Sequence, residues 1–177
     1  LSSKKMQRVA DRVHGTIYLT DLASRIVHTP QFSRLDDIRQ LGACSFVYPS
    51  ATHTRREHSL GVYHLARTAA LHLQRLYPDL VDDDDVVCIE VAGLIHDLGH
   101  GPFSHLFEVY MNFGWSHEKM GLAQFDLLLR DNNIDLQRHF TGSLAENVAM
   151  IALLVTGLGE DEAWPESVRR SESKRFL

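Results

Sequence analysis

The sequence predicts an all-α domain, because helical periodicity runs through most of it and strict alternation of apolar and polar residues is almost absent. Hydrophobic residues make up 44% of the chain and charged residues 23%, ordinary values for a globular protein that exclude a disordered or fibrous one. The 177 residues fit a single domain over 1–177. Only two short segments, 16–19 and 45–48, are candidates for strands.

Two short helices are predicted near the start of the chain. Asp21 is placed to cap a helix that continues to Val27. Thr29 supplies a capping hydroxyl just before Pro30, and this pair opens a second helix toward Arg39.

Two longer helices follow. Between 57 and 76 the apolar residues recur at intervals of three and four, which indicates an amphipathic helix. A mostly apolar helix over 86–98 comes directly after four aspartates at 82–85. We interpret these aspartates as a solvated helix start rather than a calcium site, because acidic residues complement the helix dipole and no EF-hand pattern follows.

The second half of the chain predicts three further helices. The first two cover about 103–111 and 116–129. Ser143 and Glu146 have the spacing of a capping box, which begins a last helix that continues to Val155. From Thr156 onward the composition is typical of a loop.

Composition narrows the class of protein. Lys and Arg number 18 against 23 Asp and Glu, so the net charge of −5 argues against a dedicated nucleic-acid binder. No apolar run is long enough to cross a bilayer, and we expect no membrane contact. Cys44 and Cys88 have neither metal-ligand nor redox spacing, which predicts reduced thiols in an intracellular compartment, cytoplasmic or nuclear. The first residue, Leu1, and the absence of a helix-stop signal at the end suggest a piece truncated at both ends of a longer protein.

Histidine is concentrated in two places, since eight of the eleven lie in 53–72 and 96–117. His96 and Asp97 end an apolar helix, where an unpaired carboxylate would cost several kcal/mol, so they must form an ion pair or bind a metal. Antiparallel packing of the two longer helices would bring His58 against them and favour a metal. Imidazoles with a carboxylate suit Zn, Fe, Mn or Ni and leave positions open for water and substrate. Further ionisable residues follow just downstream, at His100, His105, Glu108 and His117.

Several stretches resemble the HD-domain phosphohydrolases, a family defined by a histidine, a His-Asp doublet and a later aspartate. They are Arg-Arg-Glu-His-Ser-Leu-Gly-Val at 55–62, Ala-Gly-Leu-Ile-His-Asp-Leu-Gly-His-Gly-Pro-Phe-Ser-His at 92–105, and Trp-Ser-His-Glu at 115–118. Shorter matches occur at 13–15, 29–32 and 40–42. Within the family the chain looks most like the deoxynucleoside triphosphate triphosphohydrolases that carry a sterile alpha motif beside the HD domain.

The resemblance implies an HD-type helical bundle with a divalent metal between two packed helices, held by His58, His96 and Asp97; Mg joins the candidate metals. It also implies hydrolysis of a deoxynucleoside triphosphate to deoxynucleoside and triphosphate, with a homo-oligomer in the intact protein. In that reaction His105 would be the general acid that protonates the departing 5′-oxygen. The residues implied to organise water, α-phosphate and protons are His100, Glu108 and His117. Those implied to contact substrate are Gln40 and Leu41 at the deoxyribose and Arg55 at phosphate.

Two departures from the family pattern carry expectations. No segment matches the one that holds the family's last aspartate ligand, so we expect the chain as given to be a poor metalloenzyme. The resemblance also implies an acidic and a basic residue that recognise an activating guanine nucleotide, and here those positions hold His28 and Asp36. We therefore expect guanine nucleotides not to activate this protein.

Three alternatives remain open from the sequence. The first is an HD phosphohydrolase acting on another nucleotide, such as a nucleoside monophosphate. The second is a catalytically incompetent HD-fold module that binds nucleotides or a partner. The third and least supported is single-stranded nucleic-acid binding, since any such surface would have to be local on a chain with net charge −5.

Overall fold

One β-hairpin precedes seven α-helices in the computed structural model, which describes residues 6–111, 114–158, 163–168 and 174. The hairpin pairs β1 (Gln7–Asp11) with β2 (Gly15–Leu19). The helices are α1 (Asp21–Val27), α2 (Pro30–Ser33), α3 (Arg55–Leu76), α4 (Asp83–Ile95), α5 (His105–Met111), α6 (His117–Asp131) and α7 (Leu144–Thr156). The prediction of a helical fold is confirmed. None of the described helices is long and apolar enough to cross a membrane.

The hairpin is the part of the fold that the sequence predicted least well. The strand expected over 16–19 is present, and its side chains alternate, with Ile17 and Leu19 fully buried and Tyr18 between them exposed. Its partner β1 was missed, because Gln7–Asp11 offers too few apolar residues to show alternation. The strand expected over 45–48 is wrong, since its first half belongs to a 3-10 helix over Gly42–Phe46 and the rest is turn and bend.

Helix starts follow the capping chemistry more closely than the apolar pattern. α1 is capped by the Thr20 hydroxyl, which accepts a hydrogen bond from a backbone N–H of its first turn, so Asp21 is the first helical residue and not the cap. Thr29 caps α2 as predicted, but the chain then tightens into a 3-10 helix over Arg34–Asp37 instead of continuing as one helix to Arg39.

The central helix of the fold is α4, which packs against both α3 and α7. It is buried on most of its circumference, as a helix with apolar residues on nearly every face must be. α3 runs antiparallel to it, because His58 near the start of α3 lies beside His96 at the end of α4. This packing places the two histidine-rich regions of the sequence at one end of the helix pair.

The aspartates that precede α4 are not all solvated. Asp82 caps the helix in a capping box with Asp85, and Asp82 and Asp83 are exposed, but Asp84 and Asp85 are buried. The Asp84 carboxylate accepts hydrogen bonds from the backbone N–H groups of the loop before α7, and Lys174 Nζ lies 2.5 Å from Asp85 Oδ2. The interpretation as a solvated helix start is therefore wrong for these two residues, because their contacts come from distant parts of the chain.

We predict that Asp84→Asn lowers the free energy of unfolding by about 2 to 4 kcal/mol, because it weakens four hydrogen bonds to a buried charged acceptor. Burial alone would raise the pKa of Asp84, but the N–H groups of Thr141 and Gly142 lower it overall. Its stabilising effect should thus be complete above the unfolded-state pKa near ~4 and fall away as the pH drops through the lower native pKa. Chemical denaturation across this pH range measures both effects.

The matched control for this prediction is Asp83→Asn, at the neighbouring exposed carboxylate that accepts a bond from Gln74. That change should alter stability by less than about 0.5 kcal/mol. Equal effects of the two substitutions would contradict the assignment of Asp84 as the connection between α4 and the start of α7.

Candidate metal centre and active site

The His-Asp doublet lies at the C-terminal end of α4, in a turn rather than in the helix. α4 ends at Ile95, three residues before the predicted boundary, and His96 is its C-cap, with its backbone N–H bonded to the carbonyl of Ala92. Asp97 follows with only 4% of its surface exposed. Leaving the helix lets two consecutive side chains face the start of α3, where His58 lies in the second turn.

Three side chains that could bind a metal converge at this point. His58 Nε2 lies 3.2 Å from His96 Nε2 and 3.5 Å from Asp97 Oδ2, while His96 Nε2 lies 3.4 Å from Asp97 Oδ1. Atoms that share one metal through bonds of about 2.0 to 2.2 Å are separated by about 3 to 4 Å. The two imidazoles and the carboxylate therefore fit a divalent metal in both spacing and donor chemistry.

The protonation states also suit metal binding. His96 Nδ1 lies 2.9 Å from the carbonyl oxygen of Gly93, so the Nδ1–H tautomer leaves the Nε2 lone pair directed at the cluster. Burial lowers the pKa of His58 and outweighs the attraction of the Asp97 carboxylate. His58 is consequently neutral at neutral pH, which is the form that binds metals.

Asp97 is held as a carboxylate by its neighbours. Arg55 Nη1 lies 2.5 Å from its Oδ2, and His100 Nε2 lies 3.2 Å from its Oδ1. Burial by itself would raise the pKa of Asp97, but His100, His96 and Arg55 outweigh it and hold that pKa well below its usual range. The carboxylate is therefore charged and oriented without any contribution from a metal.

A second cluster lies directly beside the first. The rings of His100 and His117 are stacked with centroids 4.1 Å apart, and the His105 ring lies 4.9 Å from that of His100. His117 Nδ1 lies 3.2 Å from Glu108 Oε2, and His105 Nδ1 lies 3.4 Å from the same oxygen. Partial burial raises the pKa of Glu108, but hydrogen bonds from His117 and then His105 lower it overall. The structure thus brings together the four residues predicted to organise catalysis.

The members of this second cluster differ in exposure. The side chain of His105 is 71% exposed, whereas that of His100 is 1% exposed. His100 Nε2 faces the Asp97 carboxylate, and His100 Nδ1 is buried without a hydrogen-bond partner among the described residues. This Nδ1 atom is suited to a water or phosphate oxygen in the site, and the exposed His105 is suited to reach a substrate.

The residues predicted to contact substrate occupy different positions. Gln40 and Leu41 line a cavity of about 300 Å³ together with Phe103 and His105. Gln40 Oε1 is buried without a hydrogen-bond partner in the described part of the chain, while half of the Leu41 surface is exposed. Both residues therefore border the cavity that His105 also lines.

Arg55 does not lie on the surface of the site. It is 2% exposed, and besides its pair with Asp97 its Nε donates to Ser104 Oγ at 2.9 Å. Ser104 and Phe103 have φ angles of 54° and 63°, so the turn before α5 is strained and delays the helix to His105, two residues later than predicted. Contact between Arg55 and phosphate stays a prediction.

One residue that positions the site was missed from the sequence. Arg34 donates from Nη2 to the carbonyl of Leu98 at 2.6 Å and from Nη1 to that of His100 at 2.8 Å. From the end of α2 it therefore fixes the turn that carries His96, Asp97 and His100. No local pattern marks Arg34, because its two acceptors are backbone atoms more than sixty residues away.

The close approach of α6 to the His-Asp turn depends on Gly99. A Cβ atom at this position would lie 2.0 Å from the backbone oxygen of His117 and 2.3 Å from the backbone nitrogen of Gly121. We predict that Gly99→Ala displaces α6, separates His117 from His100, and lowers the free energy of unfolding by about 2 to 3 kcal/mol. Thermal unfolding and turnover measure the two consequences.

Gly121→Ala is the control on the opposite side of the same contact. Its Cβ would approach backbone atoms no closer than 3.4 Å, and alanine favours the interior of α6 by about 0.5 to 1 kcal/mol. It should leave stability unchanged or raise it. A harmless Gly99→Ala would show that the approach of the two backbones is not required.

The two positions matched to guanine recognition are already engaged within the domain. His28 Nδ1 lies 2.6 Å from the carbonyl of Ser24. Asp36 forms an ion pair with Arg56 at 2.6 Å. Neither presents the charge that the resemblance requires at its position.

Residues 55–170 match the HD domain, and the chain belongs to this family. The stretch includes both clusters. Among individual proteins, the chain is 40% identical over 179 residues to the deoxynucleoside triphosphate triphosphohydrolase SAMHD1 of Gallus gallus. This alignment covers 94% of the chain and 29% of that protein. The chain is 39% identical over 184 residues to SAMHD1 of Homo sapiens, covering 97% and 29%. It is 43% identical over 109 residues to the putative HD domain-containing protein L394 of Acanthamoeba polyphaga mimivirus, covering 54% and 24%. The chain thus spans under a third of the length of these relatives, and the family resemblance is confirmed.

Proposed function

We propose that this protein hydrolyses deoxynucleoside triphosphates to deoxynucleoside and triphosphate. The observation that carries the proposal is the convergence of His58, His96 and Asp97 next to an imidazole cluster, in a chain about 40% identical to triphosphohydrolases of this specificity. In the reaction a water oxygen bonds to the α-phosphorus while the bond from that phosphorus to the 5′-oxygen breaks. The nucleoside leaves with a proton, and the three phosphates leave together.

His58, His96 and Asp97 would hold a divalent metal. When bound, the metal supplies positive charge beside the α-phosphate, where negative charge increases in the transition state. The chain itself supplies the rest of the chemistry. The buried His100 and the Glu108–His117 pair would hold and orient water, and the exposed His105 would protonate the departing 5′-oxygen.

Gln40 and Leu41 support recognition of a deoxyribose. The unpartnered amide oxygen of Gln40 can accept a hydrogen bond from the 3′-hydroxyl, and the apolar Leu41 offers nothing to a 2′-hydroxyl. A substrate hydroxyl that is desolvated against Leu41 without a partner would be disfavoured. This contrast favours deoxynucleotides over ribonucleotides.

Product identification tests the proposal. The intact protein is incubated with a deoxynucleoside triphosphate, and in parallel with the corresponding monophosphate, at defined Mn²⁺, Fe²⁺, Ni²⁺, Zn²⁺ or Mg²⁺ concentration, and the products are resolved by ion-exchange chromatography. Triphosphate together with free deoxynucleoside is expected. Orthophosphate released from the monophosphate would instead support an HD phosphohydrolase of another specificity. Nucleotide binding without any product, in the intact protein, would support a binding module.

Guanine nucleotides are expected not to activate the intact protein, in which we also expect a homo-oligomer. Recognition of guanine by the matched positions would need a carboxylate for N1–H and N2–H and a cation near O6, but His28 and Asp36 provide neither. Each lost charge-assisted hydrogen bond costs about 1.5 to 3 kcal/mol, so affinity should fall by more than about tenfold. Analytical ultracentrifugation and turnover with and without millimolar GTP measure this, and assembly driven by GTP would contradict it.

A further inference from the structure

A second cavity lies away from both histidine clusters. Its volume is about 720 Å³, which is within the range of pockets that bind small ligands. It is lined by residues at the start of α1, on α3, on α4 and just before α7, and none of them belongs to the candidate active site. Arg67 and Glu90, the charged pair of this cavity, lie about 13 Å along α3 from His58 and about 9 Å along α4 from His96.

The inner end of the cavity carries a fixed guanidinium group. Glu90 is 3% exposed; its Oε1 accepts a hydrogen bond from the Thr20 hydroxyl at 2.8 Å, and its Oε2 lies 2.9 Å from Arg67 Nε. The Thr20 backbone is itself held by the hydroxyl of the buried Tyr63, with an N–O distance of 3.0 Å. Arg67 is therefore ion-paired with a buried carboxylate on α4, and that carboxylate also accepts a hydrogen bond from Thr20, the N-cap residue of α1.

The remaining hydrogen-bonding capacity at this end belongs to donors. Both oxygens of Glu90 are occupied by Thr20 and Arg67. The two terminal nitrogens of Arg67 have no hydrogen-bond partner among the described residues, and 28% of the side chain is exposed. A guanidinium group that is ion-paired at Nε, without a well-aligned hydrogen bond there, and open at its terminal nitrogens can bind an anion in two-point fashion.

The other residues that line the cavity indicate the chemistry of the rest of the ligand. Arg138 and His139 lie at the edge of the cavity, where Arg138 is paired with Asp135 at 3.0 Å and Asp21 adds an exposed carboxylate. Leu22 and Val87 supply apolar wall, and Val87 lies one turn before Glu90 on α4. The lining thus combines the guanidinium group of Arg67 with an apolar surface.

We propose that this cavity is a second ligand site, which binds a small molecule that has an apolar body and one anionic group, a carboxylate or a phosphate monoester, through Arg67. The anionic group accepts hydrogen bonds from the terminal nitrogens of Arg67. The apolar body packs against Leu22 and Val87. Binding at this site is independent of the metal centre and of the reaction proposed above.

Binding of three probes of similar size tests the site. Phenyl phosphate, benzoate and the neutral benzyl alcohol are titrated into the ¹⁵N-labelled chain, and amide NMR shifts report both location and affinity. The expected result is shifts at 20–22, 67 and 87–90 for one or both anions, with benzyl alcohol at least about tenfold weaker. The tighter anion assigns the ligand to the carboxylates or to the phosphate monoesters. Equal binding of all three probes, no binding, or shifts confined to 55–58 and 96–97 would overturn the proposal.

Two variants are expected to change anion affinity in opposite directions, and a control variant is expected to leave it unchanged. Glu90→Gln keeps an acceptor for Thr20 but removes the negative charge beside Arg67, so anion affinity should rise severalfold. The double variant Arg67→Gln with Glu90→Gln avoids an unpaired buried charge and should lose about tenfold or more in affinity. Arg75→Gln, on the exposed last turn of the same helix, should have no effect.

Thermal unfolding establishes that each variant is folded. Unchanged anion affinity in the double variant would overturn the proposal. If the double variant does not fold, Glu90→Gln still decides, because unchanged or weaker binding in that single variant contradicts a site built on Arg67.

Discussion

Asp97→Asn should abolish tight binding of a divalent metal and reduce deoxynucleotide turnover to background. The substitution replaces a charged ligand by a neutral amide at the point where His58 and His96 converge. A metal loses both an oxygen bond and the attraction of a carboxylate, so its affinity should fall by about a hundredfold or more. Elemental analysis after dialysis and the triphosphate-release assay measure the two effects on the same preparation.

Stability must be measured as well as metal content for this variant, because Asp97 also forms a buried ion pair with Arg55. Removing the carboxylate leaves a buried guanidinium without its charge partner, which costs about 3 to 5 kcal/mol in comparable buried pairs. The double variant Asp97→Asn with Arg55→Gln should recover part of that stability but none of the metal affinity. Stability that returns together with metal binding would show that Asp97 has a structural role only.

Asp126→Asn is the matched control, because Asp126 is an exposed carboxylate on α6 that forms an ion pair with Arg130 on the same helix. Asp126 lies outside both clusters, so the variant Asp126→Asn should retain its full metal content. One metal per chain bound to Asp97→Asn but lost from Asp126→Asn would reverse the assignment of ligands.

Sequence patterns predicted which helix ends carry His58 and the His-Asp doublet, although the doublet lies in the turn after α4 rather than in the helix. Apolar periodicity assigned His58 to the start of one helix and the His-Asp doublet to the end of the next, and antiparallel packing was enough to bring them together. The prediction worked because helix period and direction are local properties. The resemblance to the HD family then supplied the roles that spacing alone could not.

Contacts between distant segments were not predictable in the same way. Asp84 looked like one of four solvated helix-start aspartates until the loop at 141–142 packed over it. Arg34 and Arg55 carry no local signal for their partners, which lie at least forty residues away. Such polar contacts depend on which surfaces meet in the folded chain, and hydrophobic patterning fixes those surfaces only approximately.

The assignment of Arg55 shows how this affects the reading of a motif. The resemblance implies contact with phosphate, and the sequence gives no reason to expect a competing partner. In the structure the guanidinium is buried against Asp97 and Ser104, where it orients a carboxylate of the candidate metal centre. Arg55 therefore helps to position Asp97, a candidate metal ligand, whether or not one of its terminal nitrogens also contacts substrate.

His105→Gln should lower kcat for a deoxynucleoside triphosphate by about 10² to 10⁴ and leave metal content unchanged. An alkoxide is a poor leaving group unless it is protonated as the bond to phosphorus breaks, and proton transfer by a placed imidazole contributes rate factors of this size. His105 is 71% exposed and lies next to Glu108, whereas His58 and His96 converge at the candidate metal centre. Steady-state kinetics with metal analysis measure the change.

A substrate that does not need the proton separates general acid catalysis from simple positioning. In the analogue whose 5′-oxygen is replaced by sulfur, the leaving group is a thiolate, and a thiol pKa of about 8.5 makes it stable without protonation. The loss in His105→Gln should shrink to less than about tenfold with this analogue, since the missing proton no longer limits the rate. His72→Gln, an exposed histidine on α3, is the control and should lose nothing with either substrate. An equal loss for the oxygen and sulfur substrates would show that His105 positions the nucleotide instead of donating the proton.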